Sequence, residues 1–283
     1  VKKSVIIMPL LFIAVIGTIY SGYRYSKEKN SNLDVNQSAI SSNDKSLQGD
    51  GANGTEKQEN ISENISTKER LKNYEASSED LSLIEYLDYI SLKNGQVTLA
   101  YYGDINTDEE WLKEITEEMD KVISGDFNSI DHSYPGYDSY QLYIEQTAQE
   151  VTGDNPDVII YALPAVPDRI RDIGLTETEE YMGYVLDELV EEDTKVALLQ
   201  NYPLPGEEDS VNSRALTYKD YLERMKSKSN EYDSLTIIPL HSEFESDIAD
   251  ESIENYFESE TELNQAGKQK VISILDKLFK QKM

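Results

Sequence analysis

Val97-Thr98-Leu99-Ala100-Tyr101-Tyr102-Gly103-Asp104-Ile105-Asn106-Thr107 is an apolar run that stops at Gly-Asp, with a helix start directly behind it. A run without polar alternation reads as a strand covered on both faces, the mark of a parallel sheet. Four more candidate strands follow: Asp126–Ile130, which is weak, then Val158–Leu163, Lys195–Asn201 and Leu235–Leu240. Amphipathic helices separate them. Trp111, Leu112, Ile115, Met119, Val122 and Ile123 mark the first; Leu142, Ile144, Ala148 and Val151 the second; Tyr181, Val185, Leu189 and Val190 the third. Tyr218, Tyr221, Leu222 and Met225 mark the fourth, and Val271, Ile274, Leu275, Leu278 and Phe279 a terminal one. Strands alternating with helices imply right-handed crossovers, so the expected fold is α/β: a three-layer α/β/α sandwich on a five-stranded parallel, flavodoxin-like sheet. The turn at Gly103-Asp104 then lies at the C-terminal end of the first strand, where open α/β sheets carry chemistry.

Upstream, Ser77-Ser78-Glu79-Asp80 offers caps for a short helix carrying Leu81, Ile84, Leu87 and Ile90, which Asn94-Gly95 stops. From Ser26 to Ser78 the chain is Asn, Ser, Glu, Lys, Gln and Gly with scattered apolar residues, a composition that reads as a disordered tether. Its reach as a flexible coil is on the order of 40 Å. Before it, Lys2 and Lys3 precede the uncharged stretch Val5–Tyr23. As a helix that stretch measures roughly 28 Å, close to a bilayer's hydrocarbon thickness. Tyr20-Ser21-Gly22-Tyr23 is a poor cleavage site, so an uncleaved anchor is expected rather than a removed signal peptide. The domain division is therefore 1–25 membrane anchor, 26–78 tether and 79–283 folded domain. The polar stalk and the lack of cysteine place the folded domain outside a single-pass cell membrane; Arg24, Lys27 and Lys29 blunt the charge rule for orientation.

Composition excludes several classes. With 55 Asp+Glu against 26 Lys+Arg, the net charge of −29 repels nucleic acid and anionic headgroups. The absence of cysteine removes disulfides, thiolate nucleophiles and Cys-ligated metals. Only His132 and His241 supply imidazole, and both read as polar loop or strand-end residues. No metal or cofactor is expected.

The turn, the strand pattern and three later blocks resemble the SGNH/GDSL hydrolase superfamily from about residue 97 onward. That resemblance implies a serine nucleophile after Gly-Asp, a glycine and an asparagine as oxyanion donors, and an Asp-x-x-His pair near the C-terminus. Here the nucleophile position holds Ile105, and a hydrocarbon cannot attack a carbonyl. Tyr134-Pro135-Gly136-Tyr137-Asp138-Ser139 resembles the second block, with Gly136 as a backbone donor. In Leu163-Pro164-Ala165-Val166-Pro167-Asp168 the closing Asp168 fits, but Pro167 stands where asparagine belongs and has neither a side-chain donor nor an N–H. Alignment through Leu263-Asn264 and Gly267 puts Ser259 at the acid position and Glu262 at the base position. Serine-esterase chemistry is therefore not expected at this site.

The same arrangement predicts Asp104, Asp168 and Glu262 near the rim of one cleft, able to hold a cation or activate water. In a chain with 55 acidic residues this gathering assigns no role by itself. Twenty tyrosines are many for this length; Tyr134, Tyr137, Tyr140 and Tyr143 fall in segments expected to ring the cleft, where their rings suit sugar faces. Tyr101 and Trp111 read as packing residues. The expected function is a membrane-anchored, catalytically degenerate SGNH-like domain of a Gram-positive-type bacterium that binds cell-envelope polysaccharide or assists in modifying it. Its rivals are an esterase on acyl or acetyl esters using non-family residues, and a scaffold for a partner enzyme.

Overall fold

The computed structural model describes residues 55–77, 80–190, 194–249 and 251–282. Two units divide the chain, residues 1–57 and 58–283, and the sheet with its helices belongs to the second. The proposed anchor and most of the tether lie outside the described residues. Among the described residues no helix is long and apolar enough to cross a membrane.

Five parallel strands form the sheet: β1 (Gln96–Gly103), β2 (Asp126–Ser133), β3 (Val158–Ala162), β4 (Lys195–Leu199) and β5 (Thr236–Ile238). Their order is β2-β1-β3-β4-β5, as the flavodoxin-like reading expects. β1 and β3 lie inside the sheet and are apolar on both faces, which is why each reads as an unbroken hydrophobic run. β2 is an edge strand, polar and mostly unburied along its length; pairing with β1 carries it to Ser133, past the Ile130 where its apolar signal ends.

Successive strand residues point to opposite faces and build two cores. On one face Leu99, Tyr101, Ile160 and Leu199 pack with helices α2 (Leu83–Asn94), α3 (Glu110–Val122), α9 (Leu240–Ile248) and α10 (Gln265–Phe279). On the other, Tyr102, Ile159, Tyr161 and Leu198 pack with α4 (Ser139–Ile144), α5 (Thr147–Gly153), α7 (Leu175–Leu189) and α8 (Tyr218–Ser229). A short helix, α6 (Ala165–Ile170), follows β3.

Three local expectations are corrected. The second helix is two helices, α4 and α5, because Gln146 adopts φ 55° and breaks the repeat, leaving Ile144 exposed. The cap of α2 is Ser82, which exchanges hydrogen bonds with Glu85, rather than the upstream serines. The tether is helical from Thr55 to Ala76 (α1). Arg70 and Tyr74 of α1 both donate to the buried carboxylate of Asp88, which also accepts the Ser124 N–H, so the C-terminal part of α1 is fastened to the folded domain. Composition missed this because the helix is largely polar and its bonds to Asp88 come from polar side chains, which leave no apolar periodicity.

At the end of β1, Gly103 has φ +88°, and a Cβ there would meet the Ala162 carbonyl oxygen and lie 2.7 Å from the Tyr161 ring. Gly103→Ala should therefore destabilise the domain by about 3 kcal/mol, combining left-handed strain with overpacking, as read from the urea midpoint. An unchanged midpoint would show that β1 and β3 separate freely at this turn.

Candidate functional site

The turn after β1 is tied on both sides. The Gly103 carbonyl accepts the N–H of Ile105 at 2.9 Å and that of Tyr134 at 2.7 Å, and the Asp104 N–H donates to Ala162 O at 3.1 Å. These bonds aim the Asp104 side chain into a cleft of about 540 Å³ at the C-terminal ends of the strands. Oδ1 of Asp104 accepts the Gly136 N–H at 2.8 Å. Oδ2 lies 3.4 Å from the Asn201 amide nitrogen, which also approaches the carbonyls of Asp104 and Leu163. Burial pushes Asp104 up to about 6, with the Gly136 N–H pulling the other way.

Ile105 lies beside Asp104 in the cleft lining, is only 5 % exposed, and packs into the core beneath. The remaining wall is largely apolar: Trp111, Val166, Pro167, Leu204 and Leu240, with Ile170 exposed at the lip. Tyr202 stands edge-on to Trp111 at 6.4 Å, and burial pushes its hydroxyl up to about 12. Among the described residues, the buried indole N–H of Trp111 has no partner. Arg171 supplies a cation at the mouth, its Nε 3.2 Å from Asp138 Oδ2.

Of the three carboxylates expected at one cleft rim, Asp104 is the one that lines the cleft. Asp168 is fully buried: its oxygens accept Ser139 N–H at 2.7 Å, Ser139 Oγ–H at 2.8 Å and Thr178 Oγ1–H at 2.6 Å. It thereby fastens α4 to α6 and α7, and burial raises it to about 6 against those bonds. Ser259 and Glu262 close a turn on each other, the Ser259 Oγ accepting the Glu262 N–H at 3.2 Å, and both are exposed. Glu262 is not among the cleft-lining residues, although its neighbour Thr261 is, and its negative charge helps to raise Tyr202. Gly136, the expected oxyanion donor, already has its N–H engaged by Asp104. Tyr137 does not line the cleft; it packs against Tyr134 at 5.3 Å. Tyr140 and Tyr143 are likewise absent from the lining and pack with Tyr181 of α7. Asn201, Tyr202 and Arg171 are among the cleft residues that the sequence reading passed over. The rule that strand ends carry function pointed to Asn201-Tyr202 after β4, where no family block drew notice.

No family profile matches the sequence, and no curated protein does. Solved structures match its fold. An acetyl xylan esterase superposes with TM-score 0.52 at 17 % identity, covering 64 % of this chain and 98 % of that one. A variant of an acetyl xylan esterase from Geobacillus stearothermophilus gives 0.55 at 13 %, covering 66 % and 96 %. A GDSL-like lipase from Parabacteroides merdae gives 0.50 at 12 %, covering 65 % and 95 %. The chain has an SGNH/GDSL hydrolase-like fold. Within that fold, the cleft offers a shaped apolar wall, one carboxyl group titrating near neutrality, the Asn201 amide and the Arg171 guanidinium. Among the described residues, both imidazoles pair with carboxylates, His132 with Asp154 and His241 with Glu207, and neither with a hydroxyl.

The raised Asp104 sets a sign for stability. A carboxyl whose folded value lies above its ordinary 3.8 favours the folded state below that value, and the advantage is lost as pH climbs through about 6. Asp104→Asn stays neutral and escapes the loss. It should be more stable than the parent at pH 7.5 by on the order of 2 kcal/mol, with no advantage at pH 4, in urea unfolding. Equal stability at pH 7.5 would mean that Asp104 ionises without cost.

Proposed function

We propose that this domain binds an acyl- or acetyl-bearing glycan of the bacterial cell envelope without cleaving it, held at the membrane by the Val5–Tyr23 segment. The observation that carries the reading is Ile105, a hydrocarbon packed at the position where the resemblance to SGNH/GDSL hydrolases expects the serine nucleophile. Three further losses support it: Pro167 lacks a donor, the Gly136 N–H is engaged, and Ser259 with Glu262 is turned to solvent. An apolar wall suits an acyl chain or a sugar face, while Asn201 and Arg171 suit its oxygens. The acetyl xylan esterases and the lipase that share the fold support this ligand class.

A second reading is hydrolysis by water that Asp104 activates, favoured by a carboxyl titrating near 6 in a cleft. Its weakness is that both Asp104 oxygens are already approached by donors. Assays separate the two. The binding reading expects no turnover of p-nitrophenyl acetate or acetylated oligosaccharides above buffer at pH 7. It also expects calorimetric binding of the acetylated oligosaccharides that Tyr202→Ala weakens by about tenfold, or about 1.4 kcal/mol. Turnover that disappears in Asp104→Asn would replace it with the hydrolytic reading.

A further inference from the structure

Glu207, His241 and Glu245 form a cluster that the cleft chemistry does not use. Glu207 comes from the loop between β4 and α8, and His241 and Glu245 stand one turn apart on α9. His241 Nε2 is 2.7 Å from Glu207 Oε1, and Nδ1 is 3.5 Å from Glu245 Oε2. The side chains of His241 and Glu207 are buried, whereas that of Glu245 is 38 % exposed. The other oxygen of Glu207 accepts the Leu204 N–H at 2.8 Å, and the Tyr218 ring lies edge-on to the imidazole at 5.3 Å. Among the described residues, His241 is the only ion-pair partner of either carboxylate.

A neutral imidazole has one N–H and cannot serve two carboxylates. Once Nε2–H donates to Glu207, the Nδ1 lone pair faces a carboxylate oxygen, acceptor against acceptor. A positive group between them, a second proton or a metal ion, turns that repulsion into attraction. Charge-assisted N–H···O bonds run at about 2.7–2.9 Å, so 3.5 Å is long for a proton bridge. It is the spacing of two ligands on one ion: bonds of about 2.1 Å at a tetrahedral angle set their atoms about 3.4 Å apart. A carboxylate on the far ring nitrogen is also the partner that fixes the tautomer of a metal-bound histidine. Ligand atoms of all three residues fall within 4.8 Å of one another.

The geometry points to a zinc-class divalent cation site at His241 and Glu245, with Glu207 orienting the imidazole or closing in as a third ligand. Imidazole with carboxylate favours such an ion over calcium or magnesium, and water reaches the open positions from the exposed Glu245 side. Glu207, in contact with His241, connects the site to the loop whose Asn201, Tyr202 and Leu204 wall the cleft.

The test uses the full chain in detergent, stripped with chelator and dialysed against zinc chloride. One zinc per chain is expected, retained against excess magnesium. Glu245→Gln, a conservative change on a half-exposed side chain, should weaken uptake at least tenfold while the thermal midpoint of the metal-free protein stays unchanged. Glu207→Gln should weaken it by about 10–100-fold, as loss of an orienting carboxylate does elsewhere. Cobalt should give visible d–d absorption in the parent and none in Glu245→Gln. No stoichiometric uptake, or uptake that both glutamine variants leave intact because the acidic surface holds an adventitious ion only, overturns the proposal.

Discussion

Residue 103 can carry no side chain, and much of the cleft follows from that. Its left-handed backbone brings the end of β1 close enough to β3 for the Asp104 N–H to reach the Ala162 carbonyl, and turns the Asp104 carboxyl toward Gly136. Because β1 neighbours both β2 and β3 while the chain visits them in turn, a crevice opens at this strand's end whatever residues line it. The fold supplies a binding place by topology, and chemistry depends on what stands in it. Here isoleucine has joined the core.

The five strands and the long helices were legible because burial leaves a direct trace in apolar spacing. β1, β3 and β4 are sandwiched between helices and read as continuous runs, whereas the edge strands were misjudged in opposite directions: β2, read as ending at Ile130, runs to Ser133, and β5, read as Leu235–Leu240, is only Thr236–Ile238. Cleft membership was less legible. Asp168 matched a motif yet lies beneath the helices as a fastener, and the tyrosines near the second block turn toward α7 or toward each other. Motif spacing states where along a strand end a residue falls, while the rotation of the following helix decides which way it points. His241 shows the same limit: polar at a strand end in sequence, it is buried between two acids contributed by separate segments.

Asp104 and Asp168 acquire similar electrostatic character by different routes. Both are desolvated carboxyls raised to about 6, yet one opens on a cavity and the other is enclosed by three donors. A perturbed acid is thus no guide to function without its surroundings. The enclosed one organises helix packing; the open one is available to whatever enters.

The polar edge at β2 has a consequence for how the molecule behaves in company. Sheets of this kind end in strands whose free backbone groups invite a second copy to continue the ladder. Asp126, Asp131 and His132 put polar side chains along that margin, and the opposite margin, β5, is three residues long. With a net charge of −29 on the whole chain, neighbouring copies also repel. Sheet growth is arrested at both borders, so the fold can be crowded at high local density without its strands pairing between molecules.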